Sequence, residues 1–154
     1  MISYYLATSN EEYEAAKQLF TEYATSINID LDFQQFDKEL QTLMTMYGPP
    51  SGGIILAKQD EHFIGCVGIR KINETVGEMK RMYLKPEHQN KGLGKILLGK
   101  AFDLARACNY NKIRLDTLNE MVSAIALYKK AGFYEIEPYY FNPIPTAVYF
   151  EREL

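Results

Sequence analysis

The sequence predicts a mixed α+β fold, built on a central, mostly antiparallel sheet with helices on both faces. First, three consecutive strand-like segments are joined by short polar turns, which is typical of an antiparallel meander. Second, a later strand–helix–strand order predicts a crossover connection and therefore one parallel pair of strands. Third, 154 residues with 47% hydrophobic and 24% charged side chains suffice for a substantial core in a single domain, residues 1–154.

The chain opens with a strand and two helices. Ile2 to Ala7 is the strand, and the Thr8-Ser9-Asn10 run that follows offers helix caps. Hydrophobic residues then recur at helical spacing on two segments. They are Tyr13, Ala16, Leu19, Phe20 and Tyr23 on the first helix and, after Asp32, Phe33, Phe36, Leu40, Leu43 and Tyr47 on the second.

A glycine- and proline-rich break over residues 48–53 separates these helices from the meander. The meander strands are rich in branched and aromatic side chains and are divided by polar turns at residues 59–61 and 73–75. They are predicted over Ile54 to Lys58, Phe63 to Ile72 and Val76 to Leu84.

The second half of the chain alternates helices with strands. A hydrophobic stripe at helical spacing runs from Leu93 to Cys108. A further helix, Val122 to Ala131, ends at Gly132. Strands are predicted over Lys112 to Leu118, Phe133 to Glu137 and Thr146 to Glu153, the last one after an aromatic, proline-rich loop at 138–145.

Charge and composition argue against several classes of protein. The net charge of −3 gives no support to binding of nucleic acid or of an anionic membrane. No stretch approaches the roughly 20 apolar residues of a membrane span, and the first residues lack the basic-then-apolar plan of a signal peptide. Cys66 and Cys108 are best explained as free thiols in a reducing cytosol, without a disulfide framework or a metal site. We therefore expect a cytoplasmic protein.

The most informative segment is the turn from Gln89 to Lys95, with the sequence QNKGLGK, between a strand and a helix. Such a turn presents several backbone N–H groups in one direction, because the first helical turn has no internal partners for them. The helix dipole adds positive potential, and glycine lets the backbone approach an anion closely. The turn therefore indicates a socket for a phosphate or pyrophosphate, and with it an enzyme that uses a phosphorylated cofactor. A plain turn that caps the helix is the alternative.

Three segments, in this order and spacing, resemble the GNAT superfamily of acyl-CoA-dependent N-acyltransferases. Glu78 to Pro86 is similar to the family's central strand, Gln89 to Gly94 to its pyrophosphate loop, and Ala124 to Phe133 to its second signature helix. The resemblance implies an N-acetyltransferase that moves the acetyl group of acetyl-CoA (coenzyme A) directly to a primary amine of a small molecule or peptide within a ternary complex. The alternative is a CoA-binding sensor or interaction module without turnover. Many relatives pair through a late strand or helix, so the resemblance is compatible with a homodimer.

The resemblance also implies a local departure from a regular sheet. In the family, the strands that correspond to residues 78–84 and 112–118 splay apart, and the pantetheine arm of the cofactor fills the gap like a short extra strand. Lys91 and Lys95 could add charge to the pyrophosphate contacts. Asn119 is a candidate because Met121 stands where the family often has a cofactor-binding Asn. The candidate cofactor-binding residues are Met82, Tyr83, Leu84, Gln89, Asn90, Lys91, Gly92, Leu93, Gly94, Lys95, Asn119 and Tyr128.

Acyl transfer to an amine needs a base, a donor to the carbonyl oxygen and a proton for the departing thiolate. A free alkyl amine has a pKa near ~10.4 and must lose its proton before it attacks. By resemblance, Glu78 is the candidate base, acting through water; the Met82 N–H is the donor to the oxygen; and the Tyr128 hydroxyl is the proton donor. A Glu78–Lys80 ion pair and a core position for Tyr128 are the structural alternatives.

Two other side chains are weaker candidates than Tyr128 for the proton donor to the thiolate, Ser123 and Tyr83.

The two-residue period of a strand predicts that the side chains of residues 78–84 point alternately to two faces. Glu78, Lys80, Met82 and Leu84 would share one of them, and Met79, Arg81 and Tyr83 the other.

The acceptor is expected beyond the thioester, between the N-terminal helices and the late strands. Aromatic side chains there could hold an apolar body or a cationic amine, and Arg81 and Lys80 could hold an acceptor carboxylate. For Phe33 and Phe36, core packing is the favoured alternative. The aromatic and amide candidates are Phe33, Phe36, Tyr47, Tyr139, Tyr140 and Asn142.

Overall fold

Seven strands and five helices are found in the residues that the structure, a computed structural model, describes: 1–28, 31 and 35–154. The seven strands, and the two helices of the second half, begin and end within one residue of the bounds predicted from the sequence. The elements are β1 (Ile2–Leu6), α1 (Asn10–Ser26), α2 (Phe36–Gln41), α3 (Leu43–Met46), β2 (Gly53–Gln59), β3 (His62–Lys71), β4 (Val76–Leu84), α4 (Leu93–Ala107), β5 (Lys112–Leu118), α5 (Val122–Lys130), β6 (Tyr134–Ile136) and β7 (Ala147–Glu153).

Of the two helices predicted near the start of the chain, the first has the expected N-terminal cap and the second is divided. The predicted caps of α1 form a capping box, in which the Ser9 side chain accepts from the Glu12 N–H at 3.1 Å and Glu12 accepts from the Ser9 N–H at 2.9 Å. The predicted second helix is instead two short helices, because Thr42 leaves helical geometry at φ −118° and ψ 26°. Phe33, predicted on that segment, lies outside the described residues.

The strands form one sheet in the order β1-β2-β3-β4-β5-β7-β6. Every neighbouring pair is antiparallel except β4 and β5, which are parallel. Helix α4 connects these two strands, as the strand–helix–strand pattern predicted. The mixed fold class and its single parallel pair are therefore confirmed.

Helices cover both faces of this sheet. On one face, α1 and α3 enclose a core that contains Leu19, Phe20 and Leu56. On the other, α4 packs Leu97 and Leu98 against the sheet. None of the helices in the described ranges has the length and apolar character that a bilayer span requires.

The parallel pair separates soon after it begins. Only Val76, Gly77 and Glu78 of β4 pair with β5, and their partners are residues 112–114. Beyond that point β5 stays paired with β7 as far as Leu118, whereas β4 stays paired with β3 as far as Leu84. A gap therefore opens between β4 and β5, as the family resemblance implied.

A β-bulge in β4 changes which side chains share a face. Arg81 and Met82 together face the single residue Val67 of β3, and Arg81 has a φ of 58°. One inserted residue reverses the alternation of all side chains that follow it. Met79 and Met82 consequently pack on the α4 side, whereas Tyr83 packs on the α1 side. The predicted face assignment is therefore wrong beyond Lys80: Met82 and Leu84 do not share the face of Glu78.

The bulge turns Arg81 toward a buried carboxylate on the α1 side. Glu39 of α2 is 1% exposed and accepts from Arg81 Nε at 3.1 Å and from Arg81 Nη2 at 2.9 Å. The Tyr47 hydroxyl donates to the same carboxylate at 3.0 Å. Burial raises the pKa of Glu39, but the hydrogen bonds and charge of Arg81 more than offset this, so its pKa lies below the usual value.

This network corrects two predictions about the acceptor site. Tyr47 is 0% exposed and packs edge-on against Phe20 at 5.4 Å, so it is a core residue and not an acceptor contact. The Arg81 guanidinium binds the chain's own Glu39 in place of an acceptor carboxylate, and it stacks over Phe36 at 5.3 Å. Phe36 is partly buried against the same core, the alternative favoured for it from the sequence.

We expect Glu39→Gln to lower the free energy of unfolding by about 3 kcal/mol near neutral pH, because it breaks a buried ion pair. The folded-state pKa of Glu39 is depressed, so its stabilisation is present above the unfolded-state pKa of about 4.3 and is lost as pH falls through the folded-state pKa. The difference between variant and parent should therefore shrink in acid. Denaturant titrations at several pH values measure it.

Glu14→Gln is the matched control, because Glu14 is an exposed glutamate on α1. It should unfold like the parent protein at every pH. A stability loss in Glu39→Gln that stays constant down to strong acid would contradict the assigned ion pair.

Candidate functional site

The gap between β4 and β5 widens into a cleft made of two adjoining cavities. A deep cavity of about 70 Å³ lies between the splayed strands, and an outer cavity of about 520 Å³ reaches the turn between β4 and α4. The two share walls, so they form one channel that we call the β4–β5 cleft. The shared wall residues are Tyr23, Met82, Met121, Ala124 and Tyr128.

The predicted anion socket forms the outer end of this cleft. Asn90 and Gly92 both have positive φ, 61° and 80°, and Gly92 begins helix α4 without a side-chain cap. The first N–H groups of α4 are thus left for a ligand. A side chain added at Gly92 would meet nothing within 4 Å. The bend is exposed and open, as binding of an anion requires.

The residues of this turn do not all face the cleft. Gln89, Asn90, Gly92, Gly94 and Lys95 line the outer cavity. The predicted contacts Lys91 and Leu93 are not among its walls, and Lys91 is exposed to solvent. Lys95 is therefore the lysine of this turn that can add charge to a bound anion.

Met82 and Leu84 of β4, whose backbone groups are predicted to bind the cofactor, differ in how they pair with β3. Leu84 pairs with Gly65 of β3, and its carbonyl also accepts from the Gln89 side-chain amide at 2.9 Å. Met82 sits in the bulge, and within the described residues it has no register partner in β3 or β5. Met82 is thus the position of β4 where the regular register is interrupted, beside the gap that an extended ligand could enter.

Tyr128 of α5 places its phenol on the wall of both cavities. The residue is 7% exposed and packs against Phe133, yet its hydroxyl has no hydrogen-bond partner in the described chain. Burial raises the pKa of Tyr128, and nearby Tyr23 and Asp116 raise it further. This phenol therefore stays protonated and can donate a hydrogen bond or a proton into the cleft.

The sequence reasoning missed a second phenol, that of Tyr23, in the same cleft. Tyr23 lies near the end of α1, packs edge-on against Tyr83 at 6.3 Å and lines both cavities. Burial raises its pKa, and its hydroxyl also lacks a partner among the described residues. In the sequence, Tyr23 belonged only to a hydrophobic stripe, and helical spacing does not reveal which residue of a stripe ends at a cavity.

Tyr83 and Asn119 behave differently from expectation. Tyr83 lines the outer cavity, but its hydroxyl donates to Glu22 of α1 at 3.3 Å. Asn119 is exposed, and its backbone N–H donates to the Thr146 carbonyl at 2.8 Å, which extends the ladder between β5 and β7. Asn119 is not among the cleft walls, so the prediction that it replaces the family's Asn is wrong.

The wall near that position is formed by other residues. Met121 precedes α5 and lines both cavities, and its thioether does not replace the amide of an Asn. Glu120 and Ser123 line the outer cavity beside it. The polar groups of Glu120 and Ser123 are therefore available to a ligand near the start of α5, whereas the expected amide of Asn119 is not.

A second groove, of about 590 Å³, lies on the α1 side of the sheet. We call it the basic groove. Its walls include Arg70, Lys71, Glu78, Lys80, Tyr139 and Tyr140. Lys80 also lines the deep cavity, so this side chain stands between the basic groove and the β4–β5 cleft.

Glu78 is 3% exposed, and both of its carboxylate oxygens already accept hydrogen bonds. Arg70 Nε donates to Oε1 at 2.9 Å, and the Tyr139 hydroxyl donates to Oε2 at 2.6 Å. The ion-pair partner of Glu78 is thus Arg70, its neighbour across the ladder, and not Lys80 as the sequence suggested. Burial beside Glu78 raises the pKa of Tyr139, which therefore remains a donor.

Asp116 of β5 forms a comparable cluster on the other side of the gap. It accepts from the Tyr140 hydroxyl, from Asn142 Nδ2 at 3.3 Å, and pairs with Lys80 Nζ at 3.6 Å. Burial lowers the pKa of Lys80, which the carboxylates of Glu78 and Asp116 partly oppose. Consecutive tyrosines of the tail therefore bind the carboxylates of β4 and β5, and Asn142 reaches the deep cavity.

Residues 13–133 match the model of the acetyltransferase (GNAT) family. An uncharacterised N-acetyltransferase of Schizosaccharomyces pombe is 40% identical over 141 residues, which cover 90% of this chain and 86% of that protein. The IAA acetyltransferase of Azospirillum brasilense is 31% identical over 118 residues, which cover 75% of this chain and 74% of that one.

Solved structures show the same fold. A GNAT family acetyltransferase from Staphylococcus aureus matches with a TM-score of 0.81 and 22% identity over 99% of both chains. A GNAT family acetyltransferase from Elizabethkingia anophelis, solved with acetyl-CoA bound, matches with a TM-score of 0.70 and 23% identity over 99% of this chain and 98% of that one. The family match and the identity to the yeast relative go further than fold. This chain belongs to the GNAT family and is an acetyl-CoA-dependent N-acetyltransferase.

Proposed function

We propose that this enzyme moves the acetyl group directly to a primary amine of a small molecule or peptide, with both substrates bound at once. The observation that carries the proposal is the continuity of the β4–β5 cleft. It runs from the open turn at Gly92, past Met82 and Tyr128, to Lys80, and the basic groove with Glu78 begins on the other side of Lys80.

The walls support direct transfer over a covalent enzyme intermediate. Cys66 is buried in the core on the α1 side, and burial raises the pKa of its thiol, which disfavours the reactive thiolate. Cys108 is half-buried against the other core. Neither cysteine lines the cleft or the basic groove.

Each part of the cofactor has a complementary surface in the cleft. Bound acetyl-CoA supplies an activated thioester carbonyl. We assign the turn at residues 89–95, with Lys95, to the pyrophosphate, and the Met82 carbonyl, as an acceptor, to a pantetheine amide N–H. The Met82 N–H would also donate to the carbonyl oxygen as it gains charge.

Proton transfers are assigned to two side chains on opposite sides of the reaction. Tyr128 would donate a proton to the departing thiolate, because its raised pKa keeps it protonated and its hydroxyl has no competing partner in the described chain. Glu78 would take the amine proton through water, since Arg70 and Tyr139 already hold its oxygens.

We also propose a cytoplasmic location and a homodimer. Cys66 and Cys108 are unpaired, which suits a reducing compartment. Strand β6 is the last strand of the sheet, so its outer edge has no partner strand among the described residues. Light scattering of the purified protein tests the dimer.

Gly92→Ala should weaken CoA binding by at least about tenfold, because it forces a non-glycine residue into positive φ at the turn. Gly99→Ala is the matched control: Gly99 lies inside α4 with open space around it. That variant should bind CoA like the parent and be slightly more stable, since alanine favours a helix. Calorimetric titration with CoA measures both. Equal affinities in the two variants would argue against the turn as the anion site.

Tyr128→Phe should lower kcat by about a hundredfold with a smaller effect on KM for acetyl-CoA, because it removes a proton donor and keeps the ring. Tyr5→Phe removes a phenol from β1, far along the sheet order from the cleft, and should leave kcat unchanged. Steady-state release of the CoA thiol measures both variants. An unchanged kcat in Tyr128→Phe would remove this tyrosine from the mechanism.

Glu78→Gln should lower kcat/KM by about a hundredfold near neutral pH. The remaining rate should climb with pH toward the amine pKa of ~10.4, because the unprotonated amine becomes more abundant. A pH–rate profile of kcat/KM for the amine tests this.

The matched control for Glu78→Gln is Glu151→Gln. Glu151 is also buried and also accepts from an arginine Nε, that of Arg114 at 2.8 Å, and from a tyrosine hydroxyl, that of Tyr134 at 2.5 Å. It lines neither the cleft nor the basic groove. If both variants lose stability alike and retain the parental pH profile, Glu78 is a structural residue and not the base.

A further inference from the structure

The basic groove contains an arginine whose outer edge is open. Arg70 uses its Nε to bind Glu78, and among the described residues its two Nη groups have no partner. The side chain is 24% exposed and lines the groove. Glu78 and the strand hold one edge of the guanidinium fixed, so the other edge is presented as a preorganised pair of donors. Carboxylates are the anions that match this geometry with two parallel hydrogen bonds.

The charge of the groove favours an anion. Among the described residues, its walls carry Arg70, Lys71 and Lys80 against the one carboxylate of Glu78. Lys80 pairs with Asp116 and Lys71 with Glu74, but neither of these carboxylates lines the groove. The described walls are therefore richer in basic than in acidic side chains, although the whole chain carries a net charge of −3. An excess of basic groups on a surface attracts anionic groups and disfavours molecules with several positive charges.

The groove also has the volume and the apolar surface that binding of a small zwitterion with an apolar side chain needs. Its volume of about 590 Å³ falls within the usual range for small-molecule sites. The rings of Tyr139 and Tyr140 offer apolar surface for a side chain. At its inner end, Lys80 borders the cleft in which the proposed function locates the thioester, and Glu78 lines the groove on the near side of Lys80.

We propose that the basic groove binds the amine acceptor by a carboxylate, with Arg70 as the residue that recognises it. The acceptor is then an amino-acid-like molecule that carries an amine and a carboxylate, rather than a polyamine or a lysine-rich peptide segment. This inference rests on the proposed function, because it assigns the acceptor of that transfer. Arg70 thereby has two roles, holding Glu78 with Nε and the acceptor with its Nη groups.

The first experiment compares matched acceptors in the thiol-release assay. Phenylalanine and methionine should each give kcat/KM at least about tenfold above that of the corresponding amine without a carboxylate, phenethylamine or 3-(methylthio)propylamine, because the amine leaves Arg70 without its partner. Spermidine should be the poorest substrate. Decarboxylated amines or spermidine that react as well as the amino acids would overturn the inference and leave the acetyltransferase activity intact.

The second experiment tests Arg70 itself. Arg70→Gln should bring the ratio between amino acid and matched amine close to one, whereas Lys58→Gln, which changes a partly exposed lysine outside the groove, should keep it. Arg70→Lys keeps the positive charge but lacks the two parallel donors of the guanidinium, and it should give an intermediate ratio. A ratio that is unchanged in Arg70→Gln would overturn the assignment.

A third measurement needs neither turnover nor a variant. 3-Phenylpropionate should raise the melting temperature of the wild-type protein and 3-phenylpropanol should not, because only the former has the carboxylate. Equal effects of the two compounds would count against the carboxylate site. Stabilisation by 3-phenylpropionate together with no thiol release for any amine would refute the proposed transfer while supporting the anion site. The two failures are thereby distinguishable.

Discussion

The separation of β4 from β5 after Glu78 is the constraint on which the rest of this structure depends. A parallel pair that continued along both strands would satisfy its own backbone groups and leave no space between them. Here β7 holds β5 over its full length and β3 holds β4, so the two halves of the sheet diverge without either strand losing its outer partner. The gap that results is lined by residues of β4, β5 and α5.

The tail between α5 and β7 stabilises this opening from one side. Tyr139 binds Glu78 of β4, and Tyr140 binds Asp116 of β5. Both rings also pack edge-on against Tyr149 of β7, at 5.4 and 5.7 Å. The many tyrosines of the chain thus have a local explanation here: each supplies apolar area and one hydroxyl donor where two buried carboxylates face a gap.

Much of the fold could be predicted because local sequence patterns determine its helices, strands and turns. The meander, the crossover and the helix stripes follow from hydrophobic periods and turn residues, and the strand bounds agreed within one residue. The site was less accessible, because it depends on tertiary placement. Hydrophobic periodicity does not predict that Arg81 is an extra residue in its strand or that Tyr47 is buried. It also does not predict that Asn119 is exposed or that Tyr23 lines the cleft. Arg70 lay inside an ordinary strand pattern, and only the register of β3 on β4 brings it to Glu78.

The bulge at Arg81 affects both the α1-side core and the wall of the β4–β5 cleft. A single extra residue directs Arg81 into the α1-side core, where it neutralises Glu39, and at the same time leaves Met82 without a register partner in β3. Deleting that residue would restore a regular ladder at the cost of both features together. A straighter strand would therefore lose the Arg81–Glu39 ion pair and change the position of Met82 in the cleft wall. Among homologues, the length of this strand should vary less than the identity of its side chains.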